Sequence, residues 1–99
     1  MYIIREVMHC KPGKVRDMVK KFESLNALAP KLGLPPTRIL TDVSGEPFWT
    51  VVGLTEVASL DDYFAKMEKA YANEEARNIM AGYHDLVVGG KRDIYKAEG

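Results

Sequence analysis

Between Thr37 and Val57 two runs of strand-forming residues flank a single knot of turn formers. Thr-Arg-Ile-Leu-Thr-Asp-Val leads into Ser44, Gly45, Glu46 and Pro47, and Phe-Trp-Thr-Val-Val-Gly-Leu-Thr-Glu-Val leads out. That pattern predicts one β-hairpin. The second run is the stronger constraint. Phe48, Val52 and Leu54 alternate with Trp49, Val51 and Val57, so the strand is apolar on both faces. A strand covered on one side only alternates with polar residues instead. This one needs cover on both sides, which places it in the middle of a sheet and asks for more protein than one short chain supplies.

The rest of the chain supplies the other elements. Residues 2–9 read as a first strand, with Ile3 and Val7 on one face and Tyr2, Ile4 and Met8 on the other. Arg5 and Glu6 fall mid-strand, where each needs a partner or water. Lys11-Pro12-Gly13-Lys14 ends the strand, and Pro12 suits the first turn of a helix. Val15, Met18, Val19, Phe22, Leu25 and Ala29 then form one apolar stripe at the helical period. A kink is expected near Pro30 and an end at Leu32, with Gly33 closing the helix. After the hairpin, Ser59 caps a second helix whose first turn carries Asp61 and Asp62. Its stripe is Leu60, Tyr63, Phe64, Met67, Ala70 and Tyr71. Asn73 can cap a further short helix closed by Gly82, and a last strand runs from about Leu86 to Lys96, with a bulge or bend at Gly89-Gly90.

The order is therefore β-α-β-β-α-β over one domain, residues 1–99. Two split β-α-β units with right-handed crossovers give an α+β, ferredoxin-like, four-stranded antiparallel sheet in the order 4-1-3-2, with both helices on one face. The bare face then needs a cover, and a second copy of the same sheet is the economical one, so a homodimer is expected.

Charge excludes some functions. Fourteen basic and fourteen acidic residues balance, leaving no basic field for a nucleic acid backbone. No apolar run reaches the length of a membrane span. The charged Arg5 and Glu6 argue against a signal peptide. Cys10 is the single cysteine, so no internal disulfide forms and a reducing cytoplasm is the expected location.

Few side chains suggest chemistry. His84 lies between Tyr83 and Asp85 in a turn before the last strand. Imidazole exchanges protons near neutral pH, so His84 is the candidate base, with Tyr83 beside it; a plain helix-end hydrogen bond is the alternative. Trp49 and Gly53 share a strand face, and a gap left by glycine beside an indole suits a flat ligand. Equally, Gly53 can admit a bulky helix side chain such as Phe22 or Phe64, which would also flank a ligand there. His9 and Cys10 point to opposite sides of a strand, and no spacing is typical of zinc, so no metal is expected. Arg38 and Arg92, on the two edge strands, can hold an anionic ligand or guard the sheet edges.

This plan resembles the dimeric α/β-barrel superfamily, which includes antibiotic-biosynthesis-type monooxygenases, haem-degrading monooxygenases and NIPSNAP-like domains. The likeness rests on Lys11-Pro12-Gly13-Lys14 after strand 1, on Trp49, and on the closing stretch from Tyr83 to Tyr95. It implies two sheets packed face to face. Haem-degrading members carry an asparagine on strand 1, which this chain lacks: its asparagines are Asn26, Asn73 and Asn78. No haem or other cofactor is therefore expected. Two readings of function remain open. One is a ligand-binding protein, in its enzymatic form a cofactor-independent monooxygenase acting on a flat apolar or aromatic small molecule. The other is a non-catalytic dimeric binding or assembly module whose interior is filled by side chains. An open cavity favours the first and a filled one the second.

Overall fold

β1, Tyr2–Cys10, lies at the centre of the sheet in the computed structural model, which describes residues 1–99. It pairs antiparallel with β3 (Thr50–Val57) on one side and with β4 (Val87–Lys96) on the other. β2 (Arg38–Thr41) completes the order β2-β3-β1-β4 by pairing with β3. Read from the other edge, this is the expected 4-1-3-2. The two central strands are the two that carry apolar residues on both faces.

The helices are α1 (Val15–Leu28), α2 (Leu60–Ala72) and α3 (Glu74–Met80). α1 runs into a 3-10 turn at Ala29–Leu32, where Pro30 interrupts the regular helix. Gly33 closes it in the left-handed region, its N–H donating to Ala29 O and Pro30 O. Ser59 Oγ accepts from Asp62 N at 3.2 Å and Asn73 Oδ1 from Ala76 N at 2.9 Å, so both expected caps are made. Pro12 is placed differently from its expected position. It lies in a turn with Gly13 at φ 77°, and α1 starts only at Val15. The turn reverses the chain before the helix can begin.

Strand alternation sorts the side chains. Ile4, Glu6, Met8 and Cys10 of β1 share a face with Val51, Gly53, Thr55 and Val57 of β3. Helices cover this face: Cys10 and Val51 pack with Met18 and Val19 of α1 and with Leu86, while Ile4 and Val57 pack with Tyr63 of α2. The other face carries Ile3, Arg5, Val7 and His9 with Val52 and Leu54, and no helix lies over it.

Residues 42–49 join β2 to β3 and differ from the expected tight turn. Both strands are shorter than their sequence suggests, and the eight residues between form a strap. Glu46 reaches across to Arg5 at 3.1 Å on the helix-free face, and Arg5 also donates to Asp93 at 2.7 Å. The base of the strap is tied by Thr50, whose N–H donates to Asp42 Oδ1 and whose hydroxyl donates to Pro47 O. Val7, beside Arg5 on that face, is 1% exposed despite having no helix above it.

At the far side of β1 the register with β4 shifts. His9 faces Gly89 and Cys10 faces Val87, which leaves Val88 as the extra residue of a bulge where the Gly89-Gly90 bend is expected. No helix of the chain is long and apolar enough to cross a membrane.

Candidate functional site

A pocket of about 360 Å³ opens between the helices and the helix-side face of the sheet, and 13 of its 19 lining residues are hydrophobic. Its floor is Glu6 and Met8 of β1 with Gly53 of β3. α1 contributes Phe22, Leu25 and Asn26; α2 contributes Tyr63, Met67, Ala70 and Tyr71; and α3 contributes Ala76, Arg77 and Met80. Leu34, Pro35 and Thr37, in the extended lead into β2, close one end. α2 and α3 leave this space because Ala70 and Ala76 are small where the neighbouring stripe residues are large.

The floor owes its shape to a polar clamp. Asn26 Nδ2 donates to Thr37 O at 2.7 Å and its Oδ1 accepts from Thr37 N at 2.9 Å, pinning the lead segment to α1. The Thr37 hydroxyl lies 2.8 Å from that of Thr55 on β3. A Cβ on Gly53 would come within 2.9 Å of Thr37 Cγ2. Gly53 therefore admits the methyl of a threonine, rather than a bulky helix side chain such as Phe22 or Phe64. The absent side chain still keeps the floor low directly opposite Glu6, its cross-strand partner.

Glu6 is the acid of the pocket. It faces the interior from mid-β1, half-buried, and its only ionic partner is Arg92, at a loose 3.8 Å. Tyr63 stands near it, 5% exposed. Burial pushes the Tyr63 phenol up to about 12, and the negative charge of Glu6 adds to the rise, against smaller opposing effects of Arg92 and a hydrogen bond with Thr55. The folded pKa thus lies above the ordinary value of 10. The stability this contributes is complete below pH 10 and is lost as pH rises through 12. Tyr63→Phe is therefore expected to lose less stability than the native protein between pH 9 and pH 11, read as the shift in urea midpoint. Equal losses would show that the Tyr63 phenol ionises as readily folded as unfolded.

Of the residues singled out by sequence, Phe22, Gly53 and Tyr83 line the pocket; Trp49, Phe64 and His84 do not. Trp49 precedes β3 rather than lying in it. Its φ is 67°, which turns it out of the pleat, and it is 44% exposed at the foot of the strap. It does not share a strand face with Gly53. Phe64 packs edge-on to Tyr63, and the Arg92 guanidinium sits 5.5 Å over its ring, outside the cavity. His84 is exposed, its ring 4.0 Å from that of Tyr83, so it touches the pocket only through its neighbour.

Glu6 and Arg77 are the site residues that sequence reading missed. For Glu6 the signal was an acid in the middle of a central strand, read from sequence only as needing a partner or water. Arg77 gave none, since one arginine on a short polar helix is unremarkable. Cys10 is buried in the α1 core, and burial raises its thiol pKa, which suits packing rather than nucleophilic attack. His9 points to the opposite face, 3.1 Å from the Thr50 hydroxyl. No three His, Cys, Asp or Glu side chains are grouped to hold a metal ion.

Neither a protein-family model nor a curated protein matches the sequence. Solved structures do match the fold. A NIPSNAP family protein of unknown function from Agrobacterium tumefaciens superposes with a TM-score of 0.83 at 19% identity, over 98% of this chain and 87% of that one. A NIPSNAP domain protein from Burkholderia xenovorans gives 0.80 at 14% identity, over 99% and 95%. An antibiotic biosynthesis monooxygenase gives 0.72 at 13% identity, over the full length of both. Strand order, crossovers and these superpositions agree: the chain has the ferredoxin-like fold of the NIPSNAP and antibiotic biosynthesis monooxygenase proteins.

Proposed function

We propose that the chain is a small-molecule-binding protein whose pocket takes a flat, largely apolar ligand with a hydroxyl directed at Glu6. The observation that carries this reading is the open pocket itself, about 360 Å³ and mostly apolar, with a carboxylate on its floor. An interior filled by side chains, as an assembly module would have, leaves no such space. Apolar walls supply the affinity and the single acceptor fixes orientation, the usual division of labour in ligand pockets.

The kinship of fold with an antibiotic biosynthesis monooxygenase supports an oxygenase form of the same reading. A phenol held there would pass its hydroxyl proton to Glu6, and the resulting electron-rich ring would reduce dioxygen directly. One oxygen atom bonds to the ring carbon. The other leaves as water with the displaced ring hydrogen and the phenolic proton. The substrate, oxidised to a quinone, supplies all the electrons, so no further reductant is needed. Glu6 is better placed for the proton than His84, because it lines the pocket and His84 does not.

A homodimer through the helix-free face accompanies this proposal. Leu40 and Tyr95 point from that face and remain 37% and 52% exposed, and Phe48 on the strap is 84% exposed. Sheet-on-sheet packing would remove them from water.

2-Naphthol, a flat phenol, tests the pocket. Titration followed by its fluorescence should saturate at one molecule per chain. Ala70→Leu, which fills the cavity from α2, should abolish that binding while the circular dichroism stays native, and sedimentation of the native protein should give twice the chain mass. Unsaturable binding, or binding indifferent to Ala70→Leu in a folded variant, would refute the pocket as a binding site.

A further inference from the structure

The polar groups of the pocket are unequally engaged. Asn26 spends both ends of its amide on the Thr37 backbone, and the Thr37 hydroxyl is held by Thr55. Glu6 has Arg92 behind it. Arg77 is different. It is the only cationic side chain lining the pocket, and no carboxylate lies within 4 Å of its guanidinium. Nor does it make any side-chain hydrogen bond within the protein. Of the other arginines, Arg5 is committed to Asp93 and Glu46 and Arg92 to Glu6 and the Phe64 ring, while Arg16 and Arg38 lie outside the pocket.

The pocket is thus charge-balanced at its floor and carries one unpaired positive charge on its α3 wall. We propose that the ligand is an organic acid, an apolar molecule whose single carboxylate meets the Arg77 guanidinium while its body lies against Phe22, Met67 and Met80. A guanidinium presents two parallel N–H donors that match the two oxygens of a carboxylate. One guanidinium neutralises a monoanion. A dianion such as a phosphate ester would keep a second charge with nothing in the pocket to answer it, and Glu6 repels a second negative group at the floor. The proposal assigns the two polar ends of the pocket to two groups of one ligand: acid at Arg77, hydroxyl at Glu6. It rests on the pocket being a binding site, and the test separates the two ideas.

2-Naphthoic acid and 2-naphthalenemethanol are nearly the same size and differ in charge at neutral pH. Calorimetric titration of the native protein should show the acid bound about tenfold or more tightly than the alcohol, as one charge-assisted pairing implies. Arg77→Met should erase that preference by weakening the acid alone, and leave the thermal midpoint unchanged because Arg77 is exposed and unpaired. Arg77→Lys should keep part of it. Equal affinity for the two compounds, with Arg77→Met indifferent, would overturn the acid while leaving the pocket a binding site. Failure of both compounds to bind would overturn the pocket and the acid together.

Discussion

Gly90→Ala is expected to destabilise the protein by roughly 3 kcal/mol or more, enough to lower its thermal midpoint by about 15 °C. Gly90 pairs with Met8 on the central strand, just past the bulge at Val88. A Cβ built there would run into the carbonyl oxygen of Val7. That atom belongs to the backbone of β1, which is hydrogen-bonded on both edges and cannot yield as a side-chain tip can. The substitution must therefore push β4 away from β1 and break ladder bonds at the sheet's longest pairing. Gly89→Ala is the control, since a Cβ at that position meets nothing within 4 Å. It should cost less than about 1 kcal/mol, within the ordinary range for an exposed site. Urea unfolding of both variants decides the matter. If they unfold together, the close approach at Gly90 is not what holds the two strands in register.

Ile4→Ala should cost about 3 kcal/mol, for a different reason. Ile4 is fully buried, enclosed by Val57 and Tyr63 under α2. Removing three carbons leaves both the lost transfer energy and a cavity that rigid strands close poorly. Its cross-strand neighbour Ile94 has the same side chain on the same face but is 40% exposed at the edge. Ile94→Ala should cost under about 1 kcal/mol, so the pair isolates burial from residue type. A cost below 1 kcal/mol at Ile4 would mean that α2 does not rest on the sheet there.

These two sites also show what a sequence can and cannot carry. Strand order was legible because two-sided apolar character at Val51, Val52, Leu54 and Val57 admits only a central position. The helix ends were legible because Ser59, Asn73 and Gly33 act through bonds to their immediate neighbours. The strap was not. Ser44, Gly45 and Pro47 look like a tight turn, but Asp42 and Pro47 bond Thr50, and Glu46 finds Arg5 across the sheet, so three contacts outside the turn set its length. Trp49 was misplaced with it, because a tryptophan beside a valine run reads as strand and only the strap's return forces its positive φ. The pocket followed the same rule. Gly53 signalled space, whereas its occupant, Thr37, is sixteen positions earlier and is held by Asn26, a residue that no local pattern marks. Glu6 and Arg77 meet in one cavity only after strand and helix have been brought together.

The place of β1 has a bearing on how the protein is made. β1 precedes the sheet's other three strands along the chain, yet one whole edge of it is satisfied only by β4, the last of the four, through pairings such as Tyr2 with Lys96 and Arg5 with Asp93. At a synthesis rate of about 5–20 residues per second, that edge waits some seconds on the ribosome with its amide groups unpaired and Ile4 and Val7 only partly enclosed. Long-range pairing of this kind also slows the search once the chain is free. The nascent chain is then a template for any passing strand, and a chaperone that shields residues 2–10 until Val87–Lys96 emerges would raise the yield of folded protein more than one acting on the finished chain.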